Sequence, residues 1–529
     1  MKTVWITQGR FVDLPQERAQ LPQLRQDSTQ PSGTPLNRLA KDECHARERS
    51  QWMVISIAIV ALAIASRVGL IAWPFLNDSG LYAVLGRTVA TGGVMYRDFY
   101  ETKLPGAGLL AAGFWRAFGS HWVGYVLCQL VMALLAAMAL ACAAGRHVGR
   151  SAVLPTLLFA TVFLNFDYMV YTGFQLETIQ AFFEAVAAAA ALEALCGDDP
   201  FADFTAGLAA GVAAMAKPGG AGVAVVLMIC LLRHRPIRIL LVIAGFAVPT
   251  LATVYYTMRS GAWPYLPGVI RDISRYATGT PMGATSVLKI AVVLAVFGLP
   301  FLVTAIGKKS HRITTRHSSS PVVQFAALWL LVDFLAAVAQ RRLYPYHFLP
   351  LACPAALLYG LLAPARPMRV ALGLLPIALL SLTWEGSSLS HLDRGFRHTA
   401  VADYIAAHTG STDTVFADQA GRLLIETDRA PGSRLGTFFY FVNSDSAPQD
   451  YCRIMLDDFR SRRPKYLVLA AGWDRAVPAL ADSEILAQCP DRRKNFIDAW
   501  STLRDYVHKN YVRETAIKGQ EIYRPRRRF

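Results

Sequence analysis

Two neighbouring stretches hold residues whose types could do chemistry. "FLNDSGLYA" (Phe75–Ala83) places Asp78 where a long apolar run ends, and "YRDFYETKLPG" (Tyr96–Gly106) follows with Tyr96, Asp98, Glu101 and Lys103. Asp78 alone suits a helix cap, a common use of aspartate at a chain turning out of an apolar run. Its chemical use is as a base that takes a proton from an incoming hydroxyl. Lys103 beside Glu101 suits a solvated loop pair, or a point charge for a phosphate.

Further along, Glu177 opens an apolar run in "TGFQLETIQ", and Lys217 in "KPGG" separates two apolar runs. Arg271 and Arg275 stand four apart in "GVIRDISRY" and would share one helix face. "QRRLYPYHFLP" gathers Arg341, Arg342, Tyr344, Tyr346 and His347. The structural alternatives are a favourable first-turn acid for Glu177, headgroup contact for the arginines, and snorkelling side chains at helix ends.

The elements that must position these groups are membrane helices. The chain has 529 residues, of which 54% are hydrophobic and 17% charged, a balance that excludes an ordinary soluble enzyme. With about 20 apolar residues needed per span, about eleven segments qualify. They are Trp52–Phe75, Trp122–Ala144, Ser151–Phe166, Glu177–Leu195, Phe204–Ala216, Gly219–Leu232, Ile237–Thr257, Val287–Ile306, Val322–Ala339, Phe348–Leu362 and Arg369–Trp384. Several are short. The pair around "KPGG" reads as two helices or one broken one, which is tolerated where it lines a protein-walled cavity.

With the N-terminus inside, the inner loops include "GRHVGR", "RHRPIR", "GKKSHRITTRH" and "ARPMR", which are basic as the positive-inside rule requires. An odd number of spans then puts the C-terminal region outside. The expected organisation is a polar cytoplasmic extension (1–50), a transmembrane domain (51–384) whose first outer loop is 76–121, and an extracytoplasmic α/β domain (385–529). In that last part "DTVFAD" and "KYLVLA" read as strands, and "TAVADYIAAH" and "RIMLDDFRSR" as amphipathic helices.

The net charge of +16 sits largely in short loops and in the tail "YRPRRRF". That distribution points to lipid phosphates in a bilayer and away from nucleic acid. The eight cysteines show no zinc spacing. Cys452 and Cys489 are a candidate disulfide if their region is extracytoplasmic, although the spacing does not show that they approach.

On this reading every chemistry-bearing group maps to one membrane face. A carboxylate with several cations and aromatics at one depth is what a phosphate-bearing lipid substrate requires. The cations hold the phosphate as charge develops on it, and the carboxylate accepts the proton.

At these residues the chain resembles the polyprenyl-phosphate-sugar-dependent glycosyltransferases of the GT-C fold. Among them it is most similar to bacterial relatives of the protein O-mannosyltransferases and the lipid A aminoarabinose transferase. The motifs are Asp78 after the first span, then Tyr82, Ala83, Gly92, Tyr96 and Asp98, then "KLPG", then Glu177, Lys217-Pro218 and "RRLYPYHFLPL".

The resemblance implies a mostly α, GT-C-like polytopic protein with juxtamembrane helices on its outer face. It would perform an inverting sugar transfer from a polyprenyl-phosphate donor at the outer face of a bacterial inner membrane. Asp78 would be the base, and Lys103, Lys217 and one or more of Arg271, Arg275, Arg341 and Arg342 would bind the donor phosphate. Glu101, Glu177, Tyr96, Asp98, Tyr344, Tyr346 and His347 would serve the sugar or acceptor, which is an envelope lipid, a glycan or a protein. Many relatives carry Asp-Glu where this chain has Asp78-Ser79, and "KPP" is "KLP" here. With one acid fewer, a divalent metal has only weak support and no other cofactor is implied. The rival reading is a transporter or flippase of lipid-linked sugars, but such proteins place their binding groups near the bilayer midplane and carry internal repeats.

Overall fold

The computed structural model describes residues 35–76, 78–170, 173–197, 199–233, 235–278, 283–306, 321–362, 367–389, 391–418, 421–438, 448–474 and 490–526. Residues 1–50 and 51–529 are separate units. In the first, the described part is helical from Pro35.

Proline and glycine set many of the helix breaks. Helix α1 (Pro35–Gly69) carries the first apolar stretch and ends in a 3-10 turn, Leu70–Ala72. There follow α2 (Asp78–Ala90), α3 (Pro105–Phe118), α4 (Trp122–His147), α5 (Arg150–Leu164), the short α6 (Asp167–Val170), α7 (Leu176–Cys196) and α8 (Pro200–Ala216). Next come α9 (Gly222–Leu232), α10 (Ile239–Arg259), α11 (Leu266–Thr278), α12 (Ala284–Ala305), α13 (Pro321–Ala339), α14 (Ala352–Leu362) and α15 (Pro367–Leu389).

Among the described residues seven helices are long and apolar enough to cross a membrane: Ser50–Ala72, Trp122–His147, Leu176–Cys196, Pro236–Arg259, Ala284–Ala305, Pro321–Ala339 and Pro345–Leu362. Four shorter apolar helices, Arg150–Leu164, Pro200–Ala216, Pro218–Leu232 and Pro367–Leu382, fall on the remaining stretches read as spans from the sequence. The chain is thus a polytopic, mostly helical membrane protein. α2 and α3 lie between the first two spans, as the two helices expected there.

Small residues let the helices pack closely, as in membrane bundles generally. Ala133, Ala136, Ala137, Leu140 and Ala144 of α4 are buried, as are Ala181, Ala185, Ala188 and Ala191 of α7. Polar side chains tie the ends. Gln129 of α4 donates to the Gln175 carbonyl at 2.8 Å and accepts from the Gln175 amide at 3.1 Å, fixing the start of α7. The guanidinium of Arg67, on α1, donates to Thr178 Oγ1 at 3.2 Å beside that same start.

Beyond α15 come α16 (Ala400–His408), β1 (Thr414–Ala417), α17 (Gly421–Thr427), β2 (Ala430–Pro431), α18 (Pro448–Arg462), β3 (Tyr466–Ala470), α19 (Pro490–Asn510), β4 (Tyr511–Ile517) and β5 (Gln520–Pro525). The sheet order is β2-β1-β3-β5-β4. β1 pairs in parallel with β2 and β3, and β5 pairs antiparallel with β3 and β4. The two strands and two helices expected here coincide with β1, β3, α16 and α18. The β4–β5 hairpin, turned by Lys518 (φ 47°) and Gly519 (φ 79°), was not anticipated. Two successive residues with positive φ are what a tight two-residue hairpin loop needs. Cys452 is a buried free thiol that donates to the Ala499 carbonyl at 3.2 Å. Its proposed partner, Cys489, lies outside the described residues.

Candidate active site

The local fold delivers the chemistry-bearing residues one by one. α2 starts at Asp78, so the carboxylate sits in its first turn, where the helix dipole favours negative charge. Among the described residues no side-chain cap bond from Asp78 accompanies this. Tyr346 donates to Asp78 Oδ2 at 3.4 Å, and Ser79 turns its hydroxyl back to the Leu76 carbonyl at 2.6 Å. α2 closes with the Gly92 amide on the Val89 carbonyl and the Gly93 amide on the Thr88 carbonyl, with Gly92 at φ 89°. This is a Schellman ending, which favours glycine in the left-handed position.

The chain then folds into a tight turn. Asp98 accepts from the Val94 amide at 2.7 Å and holds Arg97 at 2.8 Å. Tyr96 donates to the Lys103 carbonyl at 2.8 Å. Tyr96 and Asp98 therefore shape the loop that presents Glu101 and Lys103 and do not line the cavity described below. Pro105 at the first position of α3 ends that loop, and Gly106 lies against Met215 near the end of α8.

On the helical side, Glu177 occupies the first turn of α7. Pro218 forces the residue before it out of the helical region. Lys217 is accordingly extended (φ −151°, ψ 142°), and α8 and α9 are two helices joined by a 3-10 turn. After α13 the chain reverses through Arg341 (φ 57°) and Leu343 (φ 49°). Both are left-handed without being glycine, a conformation that persists only where surroundings impose it. This strained turn feeds the 3-10 segment Pro345–Leu351 and brings Tyr344, Tyr346 and His347 inward, with the tyrosine rings stacked 5.4 Å apart.

These pieces enclose one cavity of about 940 Å³. Asp78, Glu101, Lys103, Glu177, Lys217, Tyr344, Tyr346 and His347 all line it. The other sequence-nominated cations do not. α11 turns Ile270, Ile273 and Ser274 to the cavity, while Arg271 and Arg275 lie on another side of the helix; Arg271 is exposed and Arg275 pairs with Asp272 at 3.7 Å. Arg341 and Arg342 sit in the reversing turn outside the lining, with Arg342 buried.

Sequence reading assigned no site role to several lining residues. Tyr82 faces Lys103, whose Nζ lies 5.5 Å from its ring centroid. Gln340 accepts from Lys217 Nζ at 3.2 Å. Gln180, Asp333 and, from the C-terminal region, Thr437 complete the set. Gln180 was visible as the i+3 neighbour of Glu177, and Asp333 as an acid inside an apolar run. Nothing local in the sequence marks Thr437.

Electrostatically the cavity is a tight mix of signs. Lys103 pairs with buried Glu101 at 3.3 Å, and Lys217 pairs with buried Glu177. Burial pulls the Lys103 ammonium down, but Glu101, Asp78 and Glu177 together outweigh it and hold its pKa above the ordinary lysine value. Burial, and then Asp78, Glu177 and Glu101, push the Tyr82 phenol well up, so it stays a hydrogen-bond donor. Asp78 has no basic partner among the described residues. As a metal site the constellation fits poorly: Glu101 and Glu177 already hold ammonium groups, Ser79 points away, and no group of three His, Cys, Asp or Glu converges among the described residues.

No protein-family profile matches the sequence, and no curated protein matches it. Solved structures do match. The crystal structure of ArnT from Cupriavidus metallidurans bound to undecaprenyl phosphate aligns with a TM-score of 0.57 at 16% identity, over 89% of this chain and 97% of that one. The same protein in the apo state aligns with a TM-score of 0.50 at 13% identity, over 90% and 98%. At such identities the likeness speaks for the fold: this chain has the GT-C fold of ArnT, as its motifs implied.

Proposed function

We propose that this protein is an inverting glycosyltransferase that moves a sugar from a polyprenyl-phosphate donor to a hydroxyl of an envelope lipid, glycan or protein. The observation that carries the proposal is the cavity at the membrane-helix ends, where Asp78, a carboxylate without a basic partner among the described residues, faces two ammonium groups, Lys103 and Lys217. A neighbour with the same fold is described as bound to undecaprenyl phosphate, which supports the donor class.

In the reaction Asp78 takes the proton of the acceptor hydroxyl as its oxygen attacks the anomeric carbon. The bond from that carbon to the phosphate oxygen breaks, its electron pair leaves with the lipid phosphate, and configuration inverts. Lys103 and Lys217 stabilise the departing phosphate. Glu101 and Glu177 hold those ammonium groups in place, and Tyr346 orients Asp78. A lipid phosphate is already a usable leaving group, so no strong general acid is required. The location that goes with this chemistry is the outer face of a bacterial inner membrane, with the N-terminus cytoplasmic and residues 385–529 on the cavity side.

The test is transfer of radiolabel from a panel of polyprenyl-phosphate sugars to membrane acceptors by the reconstituted protein. The expected result is transfer from at least one donor, with inverted configuration and loss in Asp78→Asn. Movement of intact lipid-linked sugar across the bilayer without transfer would favour the flippase reading. A chelator in the same assay reads the metal requirement.

A further inference from the structure

Two buried acids lie below the groups just described and have no role in that chemistry. On α7, Glu177, Gln180 and Glu184 follow at spacings of three and four; on α13, Asp333, Ala337 and Gln340 do the same in the opposite chain direction. Each series marks one helix face. Seven residues of helix rise about 10 Å, so both faces descend from the lysine level into the spanning helices, polar at each named position on α7 and interrupted by Ala337 on α13. Gln180 and Asp333 line the cavity at its lower end, together with Gly219 and Ala336.

Asp333 is 2% exposed and Glu184 0%. Gln180 donates to Glu184 Oε1 at 2.7 Å, but among the described residues Glu184 Oε2 and both oxygens of Asp333 close no hydrogen bond of good geometry. The polar groups next to Asp333 are the Glu184 carboxyl and the Trp329 indole. Among the described residues no basic side chain pairs with either acid. Gly222 of α9 leaves the space: a Cβ there would stand 3.0 Å from Asp333 Oδ1. Ionisable groups at such depth are rare unless something binds them, and buried acceptors without donors call for one.

Resting on the glycosyltransferase reading, we infer that Asp333, backed by Glu184, is a sugar-positioning subsite that accepts a hydrogen bond from a hydroxyl of the transferred sugar. The three parts of the reacting pair distribute themselves by chemistry. The polyprenyl tail has no donors and belongs in the bilayer. The acceptor must reach Asp78 near the start of α2. The sugar is the part rich in hydroxyl donors and small enough for the floor, and it is joined to the phosphate that the two lysines above would hold. Gln180 offers a further polar contact at the same level. Asp333 is thereby a specificity residue, well removed from proton transfer at Asp78.

The experiment compares the best donor with versions lacking one hydroxyl each, for the reconstituted wild type and Asp333→Leu. The wild type should lose about 10⁴-fold in kcat/KM for one of these analogues, as sites built around a hydroxyl do. Asp333→Leu, which has no acceptor, should reduce that discrimination to within about threefold, treating the full sugar as poorly as the analogue, because the group that accepts from the hydroxyl is gone. Unchanged discrimination in Asp333→Leu, or a parallel loss for every donor, overturns the inference and leaves the glycosyltransferase reading standing. A wild type that transfers no sugar overturns both. If Asp333→Leu does not purify as a monodisperse protein, Asp333→Ala takes its place, with the same collapse required.

Discussion

The cavity wall built by the loop after α1 is fastened mainly through backbone groups. Arg87 of α2 donates to the Leu424 carbonyl at 2.8 Å and the Arg429 carbonyl at 2.6 Å, gripping the end of α17. The Tyr100 amide donates to the Arg434 carbonyl at 2.8 Å, and Arg462 reaches the Asp98 carbonyl at 3.3 Å. Gly80 and Gly421 meet back to back, so closely that a Cβ on Gly421 would stand 2.2 Å from Gly80 backbone atoms. The opposite wall, from α7, α8 and α13, is fastened through the functional side chains themselves: Lys217 to Glu177 and to Gln340. On the loop side, holding the fold and doing chemistry fall to different residues. On the helix side one set of residues does both. Substitutions should separate the two walls accordingly.

Asp78→Asn tests the loop wall where chemistry stands apart from structure. It should lower kcat by about 10²–10⁴-fold and leave the thermal unfolding midpoint of the purified protein unchanged. A large drop in that midpoint would break the contrast, by giving Asp78 a structural task.

Lys217→Met tests the helix wall, where the two tasks coincide. It leaves buried Glu177 without its cation, and removing one partner of a buried pair costs about 3–5 kcal/mol. Donor binding and thermal stability should fall together. Adding Glu177→Gln should restore stability but not transfer. If the double variant is as unstable as the single one, the pair is not what holds this wall.

Gly421→Ala should act through docking alone. Overpacking against backbone costs about 1–3 kcal/mol. Limited proteolysis should then cut the C-terminal region faster, with a smaller fall in transfer than Asp78→Asn causes.

The smallest effect is a pH profile. Lys103 has a folded pKa above its ordinary value, so its charged form is the favoured one. Its contribution is full below the ordinary value of 10.5 and is lost only as pH rises through the raised one. KM for the donor should therefore be flat across the neutral and mildly alkaline range. Glu101→Gln removes the largest raising charge and should move the upward break in KM to lower pH.

Much of this protein was legible before its fold. Each of the eleven stretches nominated as spans falls on a helix, because a long apolar run has few other solutions in a bilayer. The break at Lys217 was legible because Pro218 acts on its immediate neighbour. Asp78, Glu101, Lys103, Glu177 and Lys217 could be nominated because an ionisable group at the end of an apolar run is costly unless it is used.

The tertiary structure alone decided which of the cations converge. Arg271 and Arg275 were matched to Lys103 in charge and expected depth, yet α11 rolls its isoleucines inward and carries the arginines away. That choice belongs to the packing of α11, and spacing along the chain cannot express it. It also took the tertiary structure to place Thr437 on the cavity and Asp333 on its floor. Sequence fixes the cost of burying an acid locally; the partner that would justify it is set by which helices meet.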